Sequence, residues 1–422
     1  MTLLTAAMVA AILAQAPGPG PAETFTIAGD VSALVNLMPE ADAFELRPEA
    51  SIDATWRPAR RLRLKFEGRL SGLEADRNGH VTAGAAQARD VWIEIAGRHL
   101  DLRAGYGRVV WGRLDEVQPT DVINPIDAAR FLLDGRSAAR LGVPFVRIRL
   151  VGSDRFAVEG VLVPAFVRGT YDALDEGTSP FNLTNDVAAA PGFTLADDVV
   201  HADPGDDGSS ISGGGRITAT IGRVDVAVAA YRGFEPFGPI TVQILPPASP
   251  DLPPAAQLVD HHARFTMVGG DFETAAGDWA WRGEVAMFTE KKLPNRTATA
   301  LVDGHVIESG IGFDRPLSGN RVYGSLLVRR EWSDADTTLG RTDVDLVGSI
   351  ERRFSRDRYL ARAFVVVNPG DAAAFVRGLF AWSASDNVWI EASAGLFAGS
   401  GDDTLSRFSG RDFVFARIRY HF

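Results

Sequence analysis

Seven histidines could act as acid–base groups: His80, His99, His201, His261, His262, His305 and His421. Histidine is the side chain best suited to moving a proton near neutral pH. The pair His261-His262, beside Asp260, is the most suggestive, and a hydrolase reading would need it as the base. Adjacent residues of a strand point to opposite faces, so at most one of the two can join a site. No serine or carboxylate partner stands at a recognisable spacing, and there is no phosphate loop, H-E-x-x-H or nucleophile elbow. The chain has no cysteine, which removes disulfides, thiolate metal sites and cysteine nucleophiles together. No catalytic residue, metal ligand set or cofactor is assigned, and the expectation is a protein that is not an enzyme.

The most unusual stretch is GYGRVVWGRLDEVQPTDVINPIDAARFLLDGR, residues 105–136. It leaves strand period at Trp111 and carries helix signals, with Asn124 as N-cap, Pro125 as first helical residue, Asp127 in the first turn and Gly135 as the stop. A segment this apolar is not built as a loose external loop. The expectation is that residues 111–142 fold inward as a constriction or plug. Arg113, Asp115, Glu116, Asp121, Asn124, Asp127 and Arg130 are its candidate pore residues. A helix capping the rim is the plainer alternative.

Only Lys65, Lys291 and Lys292 are lysines, so 40 of the 43 basic residues are arginines. Strand alternation turns Arg61, Arg63, Lys65, Arg69, Arg103, Arg147, Arg149, Arg417 and Arg419 to one common face, partly offset by Glu67, Asp101, Glu159 and Glu391. Ladders of arginine and carboxylate brace a wall. An excess of cations would instead form an eyelet for anionic solutes. The acidic run 167–212 matches no defined calcium loop and is expected to be a solvated external loop. ILPPASPDLPPAAQ, residues 244–257, is expected to be another.

Gly107-Arg108-x-x-Trp111-Gly112, followed by Thr120-Asp121-Val122-Ile123-Asn124-Pro125-x-Asp127, resembles the signature of a proteobacterial outer-membrane barrel family of unassigned function. Genes of that family often neighbour efflux-type or lipid-exporting inner-membrane transporters. The matching stretch covers about twenty residues. The resemblance implies a transport-related role and an inner-membrane exporter as partner, and names no ligand.

The elements that must position these groups are strands. Period-2 alternation recurs from Phe25 to the end: RRLRLKFEGRL sets Leu62, Leu64, Phe66 and Leu70 against the basic face. Eighteen such runs can be counted, from 23–36 to 411–422, with sixteen if two fail. Most exceed a typical soluble strand and suit a tilted membrane crossing. Short turns alternate with longer connections at 111–142, 167–212, 233–258, 291–303 and 399–410. Aromatic residues near strand ends (Trp56, Trp111, Trp279, Trp332, Tyr359, Trp382, Trp389, Tyr420) fit two interfacial girdles. The last strand puts Val414, Ala416, Ile418, Tyr420 and Phe422 on one face, an apolar stripe suited to lipid. Tyr420-x-Phe422 resembles the signature by which the outer-membrane assembly machinery takes up its barrels.

No run reaches about 18 apolar residues, so no spanning helix is expected. The apolar stretch LLTAAMVAAILAQA, residues 3–16, has the length of a signal-peptide core, and 1–22 is expected to be a leader cleaved before Glu23. The mature chain, 23–422, is expected to be one all-β, transmembrane antiparallel up-and-down barrel in a Gram-negative outer membrane. Its net charge of −11 argues against nucleic acid. Outer-membrane lipid and lipopolysaccharide are the expected surroundings. The expected function is a porin-like channel for small or amphiphilic molecules, narrowed by residues 111–142. Alternatives are an accessory barrel for an export or lipid-trafficking system and a structural or adhesin-like barrel.

Overall fold

The computed structural model describes residues 24–77, 79–196, 198–205, 210–247, 249–401 and 403–422. The expected leader lies outside the described residues, as do Asp197, Asp206 and Asp207 of the acidic run.

Eighteen strands pair antiparallel with their neighbours. The first, Thr24–Met38, pairs with the second, Ala43–Ala59, and with the last, Phe413–His421, so the sheet closes and has no edge. Closure is what a sheet needs in hydrocarbon, where no water can satisfy an unpaired backbone group. All eighteen expected strands are present. Leu62–Arg77 and His80–Ala96 run almost into one another, and Gly79 between them takes φ 143°. Within 255–276 the chain divides into Ala255–His261 and Arg264–Ala276, of which only the second joins the barrel.

Alternation sorts the two faces as the pattern requires. Val414, Ile418, Tyr420 and Phe422 are exposed on the outer surface, whereas Phe415 and Arg417 of the same strand are buried inside. Leu346, Ile350, Ile390 and Leu396 repeat the outward stripe on other strands. Such a belt of aliphatic side chains is stable against lipid and not against water. The barrel is therefore a transmembrane one. Trp56, Trp382 and Tyr420 are exposed among the expected girdle residues. Trp111 is not in a girdle: it is 1% exposed, and its Nε1–H donates to Glu159 Oε1 at 2.9 Å.

The interior is less polar than the charged face suggested. Val109, Trp111, Ile123, Phe145, Tyr231 and Phe265 form one buried cluster, and Leu132, Phe181, Phe375, Phe397, Phe413 and Phe415 belong to another. Both join inward wall residues to segments from the connections 108–142 and 164–211. The acidic run is also ordered in part. Asp172 is 2% exposed, and Thr194–Leu195 and Val200–Ala202 pair in parallel with Ala255–His261, which in turn pairs with Ile240–Leu245. The solvated-loop expectation fails there because Arg47 and Arg77 on the wall offer a buried counter-charge to Asp172, at 2.5 and 3.2 Å.

Candidate functional site

After Gly107 the chain turns inward, and two side chains hold the turn. Arg108 Nε donates to Asp90 at 3.0 Å and its Nη2 to Glu67 at 2.6 Å. Asn124 is not the helix N-cap. Its Oδ1 accepts the Val109 N–H at 2.8 Å, and its Nδ2 donates to the carbonyls of Gly107 and Leu141 at 3.2 and 2.7 Å. It therefore ties the two ends of the inserted segment together. Asp127 is the N-cap, accepting the Arg130 N–H at 3.1 Å, and the helix runs Ala128–Asp134 to a stop at Gly135 with φ 87°. The cap lies three residues beyond the expected one because the Asn124 side chain is committed to backbone elsewhere.

The segment then reaches the wall at widely separated strands. Arg113 donates to Asp271 at 2.5 Å and to Glu273 at 2.9 Å. Glu284, 5% exposed, accepts the N–H groups of Arg113, Leu114 and Thr120 and the Thr120 hydroxyl, the last three at 2.6, 3.2 and 2.8 Å. Leu114 is 0% exposed and sits over Gly310 and Gly312, whose missing side chains leave room for it. Asp115 meets Arg321 and Arg282 at 3.4 and 3.6 Å, and Glu116 meets Arg362 at 2.6 Å. Asp121 takes Arg140 and Arg136 at 2.8 and 3.2 Å within the segment itself. Arg130 pairs with Glu49, and Asp134 pairs with Arg417. Arg377 donates to the carbonyls of Leu132 and Leu133 at 3.0 and 2.6 Å. All seven predicted segment residues are thus engaged. Five bond directly to wall or neighbouring-loop groups, and Asp121 and Asn124 organise the segment internally.

Two carboxyls of the segment are pushed in opposite directions. Burial, reinforced by nearby Asp172, raises Asp127 from an ordinary 3.8 to about 6. Burial would also raise Asp134, but Arg417 and Arg130 beside it outweigh that and hold it at about 2.

The predicted basic face is mostly paired. Arg63 and Arg103 share Glu94, at 3.5 and 2.8 Å, and Lys65 holds Asp53. Arg69 meets Glu49 at 3.2 Å, Arg147 meets Glu159 at 2.6 Å, Arg417 also meets Glu391 at 3.3 Å, and Arg419 approaches Asp30 at 4.0 Å. Arg149 faces inward and makes no ion pair among the described residues. Arg61 does not line the interior. It lies exposed in the turn between Ala59 and Leu62, because the third strand begins only at Leu62. Bracing ladders therefore describe this face better than a row of free cations.

What alternation did not reveal is the cavity left beside the segment. It measures about 520 Å³ and lies between the helix Ala128–Asp134 and the strands carrying Asp30, Glu49, Asp53, Arg69, Arg377, Arg417 and Arg419. Its lining is a mixture of arginine and carboxylate. The inward phenylalanines were missed too, although Phe413 and Phe415 share the strand face of Arg417 and were visible there.

No protein-family model and no curated protein sequence matches the chain. Among solved structures it is similar to OccD3 (OpdP) of Pseudomonas aeruginosa, at 7% identity and TM-score 0.51, covering 97% of this chain and 93% of that one. It is similar to OccK5 (OpdH) of the same organism, at 9% identity and TM-score 0.50, covering 96% and 99%. An anion-selective porin from Comamonas acidovorans aligns at 12% identity and TM-score 0.43, over 95% and 100%. At these identities the likeness concerns the fold: an 18-stranded, outer-membrane type of barrel.

Proposed function

We propose that the protein is a porin-like conduit of the outer membrane whose passage is narrowed, and gated, by the inserted segment 111–142. The observation that carries this is the span of the segment's anchors. Its side chains and backbone N–H groups reach Glu49, Asp271, Glu284, Arg321, Arg362 and Arg417, inward positions on six separate strands of the barrel. A rim cap would touch loops and leave these charges to one another. The remaining cavity, with both signs of charge on its wall, suits small polar or amphiphilic solutes more than a single class of anion. Outer-membrane lipid and lipopolysaccharide surround such a barrel, and the Tyr420-x-Phe422 end suits uptake by the assembly machinery.

Liposome swelling tests this reading. Proteoliposomes of the intact barrel should admit small sugars or amino acids slowly, and those of a variant lacking residues 113–140 quickly. Equal rates would remove the segment from the passage. The two buried clusters that close much of the interior favour a second reading, an accessory barrel that opens only with an inner-membrane exporter. Swelling absent in the intact protein and present after deletion would support that version.

A further inference from the structure

Outside the lumen segment, the two connections 164–211 and 235–263 meet in a cluster that nothing above uses. Val200–Ala202 runs parallel to Ala255–His261, with His201 in register with Asp260. Two residues further on, each strand supplies another polar group, Asp203 and His262. His262 is 5% exposed, and its Nδ1–H donates to the Glu235 carbonyl at 2.9 Å. That bond turns Nε2 into the cluster. Nε2 has no hydrogen-bond donor, yet it is buried 3.3 Å from Asp203 Oδ1 and 3.3 Å from Asp260 Oδ2. His201 Nδ1 lies 3.2 Å from the same Asp260 oxygen. A buried ring nitrogen that faces carboxylates without a hydrogen-bond partner is placed as a ligand atom would be around a cation.

We infer that His201, Asp260 and His262 form a binding site for a divalent transition-metal ion, Zn²⁺ being the best match, which clamps the two connections together, with the exposed Asp203 beside His262 at its edge. The donor set of two imidazoles and a carboxylate suits Zn²⁺ with an open fourth position, whereas Ca²⁺ or Mg²⁺ would want oxygen alone. The spacing agrees. Tetrahedral Zn²⁺ bonds of about 2.0–2.1 Å place ligand atoms about 3.3–3.4 Å apart, close to the 3.2–3.3 Å found. A ligating histidine commonly donates its other nitrogen to a backbone carbonyl, as His262 does. Ligation through His201 Nδ1 puts a proton on its Nε2, and the Arg168 guanidinium that now contacts Nε2 then shifts to Glu176, its other partner at 3.3 Å. His261 points away, to the Thr241 hydroxyl at 2.8 Å, and takes no part.

The test uses the full barrel, refolded without a polyhistidine tag, stripped with chelator and titrated with Zn²⁺. One ion should bind per chain, and His262→Ala or Asp260→Ala should weaken binding at least 100-fold while His261→Ala leaves it unchanged. Heat-modifiable mobility on gels checks that each variant still forms a barrel. Substituted Co²⁺ should give the intense visible absorption of a tetrahedral site. Zn²⁺ should also slow proteolysis within 190–205 in the intact protein and not in His262→Ala. Binding that is absent in the intact barrel, or unchanged in His262→Ala, would overturn the site.

Discussion

Replacing Glu284 by alanine should loosen the inserted segment more than any other single wall change. One carboxylate accepts three backbone N–H groups and a hydroxyl from Arg113, Leu114 and Thr120. Hydrogen bonds to a charged group contribute about 1.5–3 kcal/mol each, so simple addition gives roughly 6 kcal/mol or more. Water can enter the space left and satisfy some of the donors, and about 3 kcal/mol is the more realistic net loss. That corresponds to a roughly hundredfold rise in the population with the segment detached. Single-channel recording in planar bilayers reads that population directly. Glu284→Ala should show frequent excursions to a higher conductance level, with Glu284→Gln between it and the unmodified protein. Traces of Glu284→Ala indistinguishable from the unmodified protein, in a barrel shown to be folded, would refute the anchoring role.

Opening should also depend on pH with two limbs of opposite sign. Asp127, raised to about 6, stabilises the closed segment when protonated, an effect present below 3.8 and lost as pH rises through 6. Asp134, lowered to about 2, stabilises it when ionised, an effect present above 3.8 and lost as pH falls towards 2. Excursions should therefore be rarest near pH 4 by this linkage, and Asp134→Asn should abolish the acid limb alone. Gly310→Val should displace Leu114, since a Cβ there would lie 2.7 Å from Leu114 Cδ1 and 2.6 Å from Leu327 Cδ2; raised conductance without loss of the barrel is expected, and normal conductance would count against Leu114 as a wedge. Deleting Phe422 removes its backbone pairing with Gly29, at 3.0 and 3.1 Å, and the end of the outward stripe. Membrane fractions should then contain several-fold less folded barrel, and an undiminished yield would argue against a role for this residue in assembly.

Much of the barrel was legible because lipid imposes a rule on every strand: one face apolar, the other free. Leu62, Phe66, Ile390 and Ile418 obey it one by one, and length and closure follow. The inserted segment was legible from its broken period at Trp111 and its apolar content. Its fastenings were not. Asn124 looked like a cap because Asn-Pro precedes the helix, but its side chain serves Val109, Gly107 and Leu141, partners set by the fold of the whole segment. Arg61 looked inward by parity until a two-residue turn took it out of the strand. The acidic run looked solvated because its buried member, Asp172, gains its counter-ions from Arg47 and Arg77 more than 90 positions away in sequence. Burial alone would raise the Asp172 carboxyl, but Arg47 and Arg77 outweigh it and hold the group below the usual carboxylate range. The histidine cluster was hidden in the same way, since it needs a parallel pairing between two connections.

The most direct test of the central claim compares the ion conductance of the intact barrel in planar bilayers with that of a variant lacking residues 113–140. The account predicts low conductance or silence in the intact protein and a large, steady conductance after the deletion. Two folded barrels of equal conductance would contradict it, because the segment would then lie outside the passage.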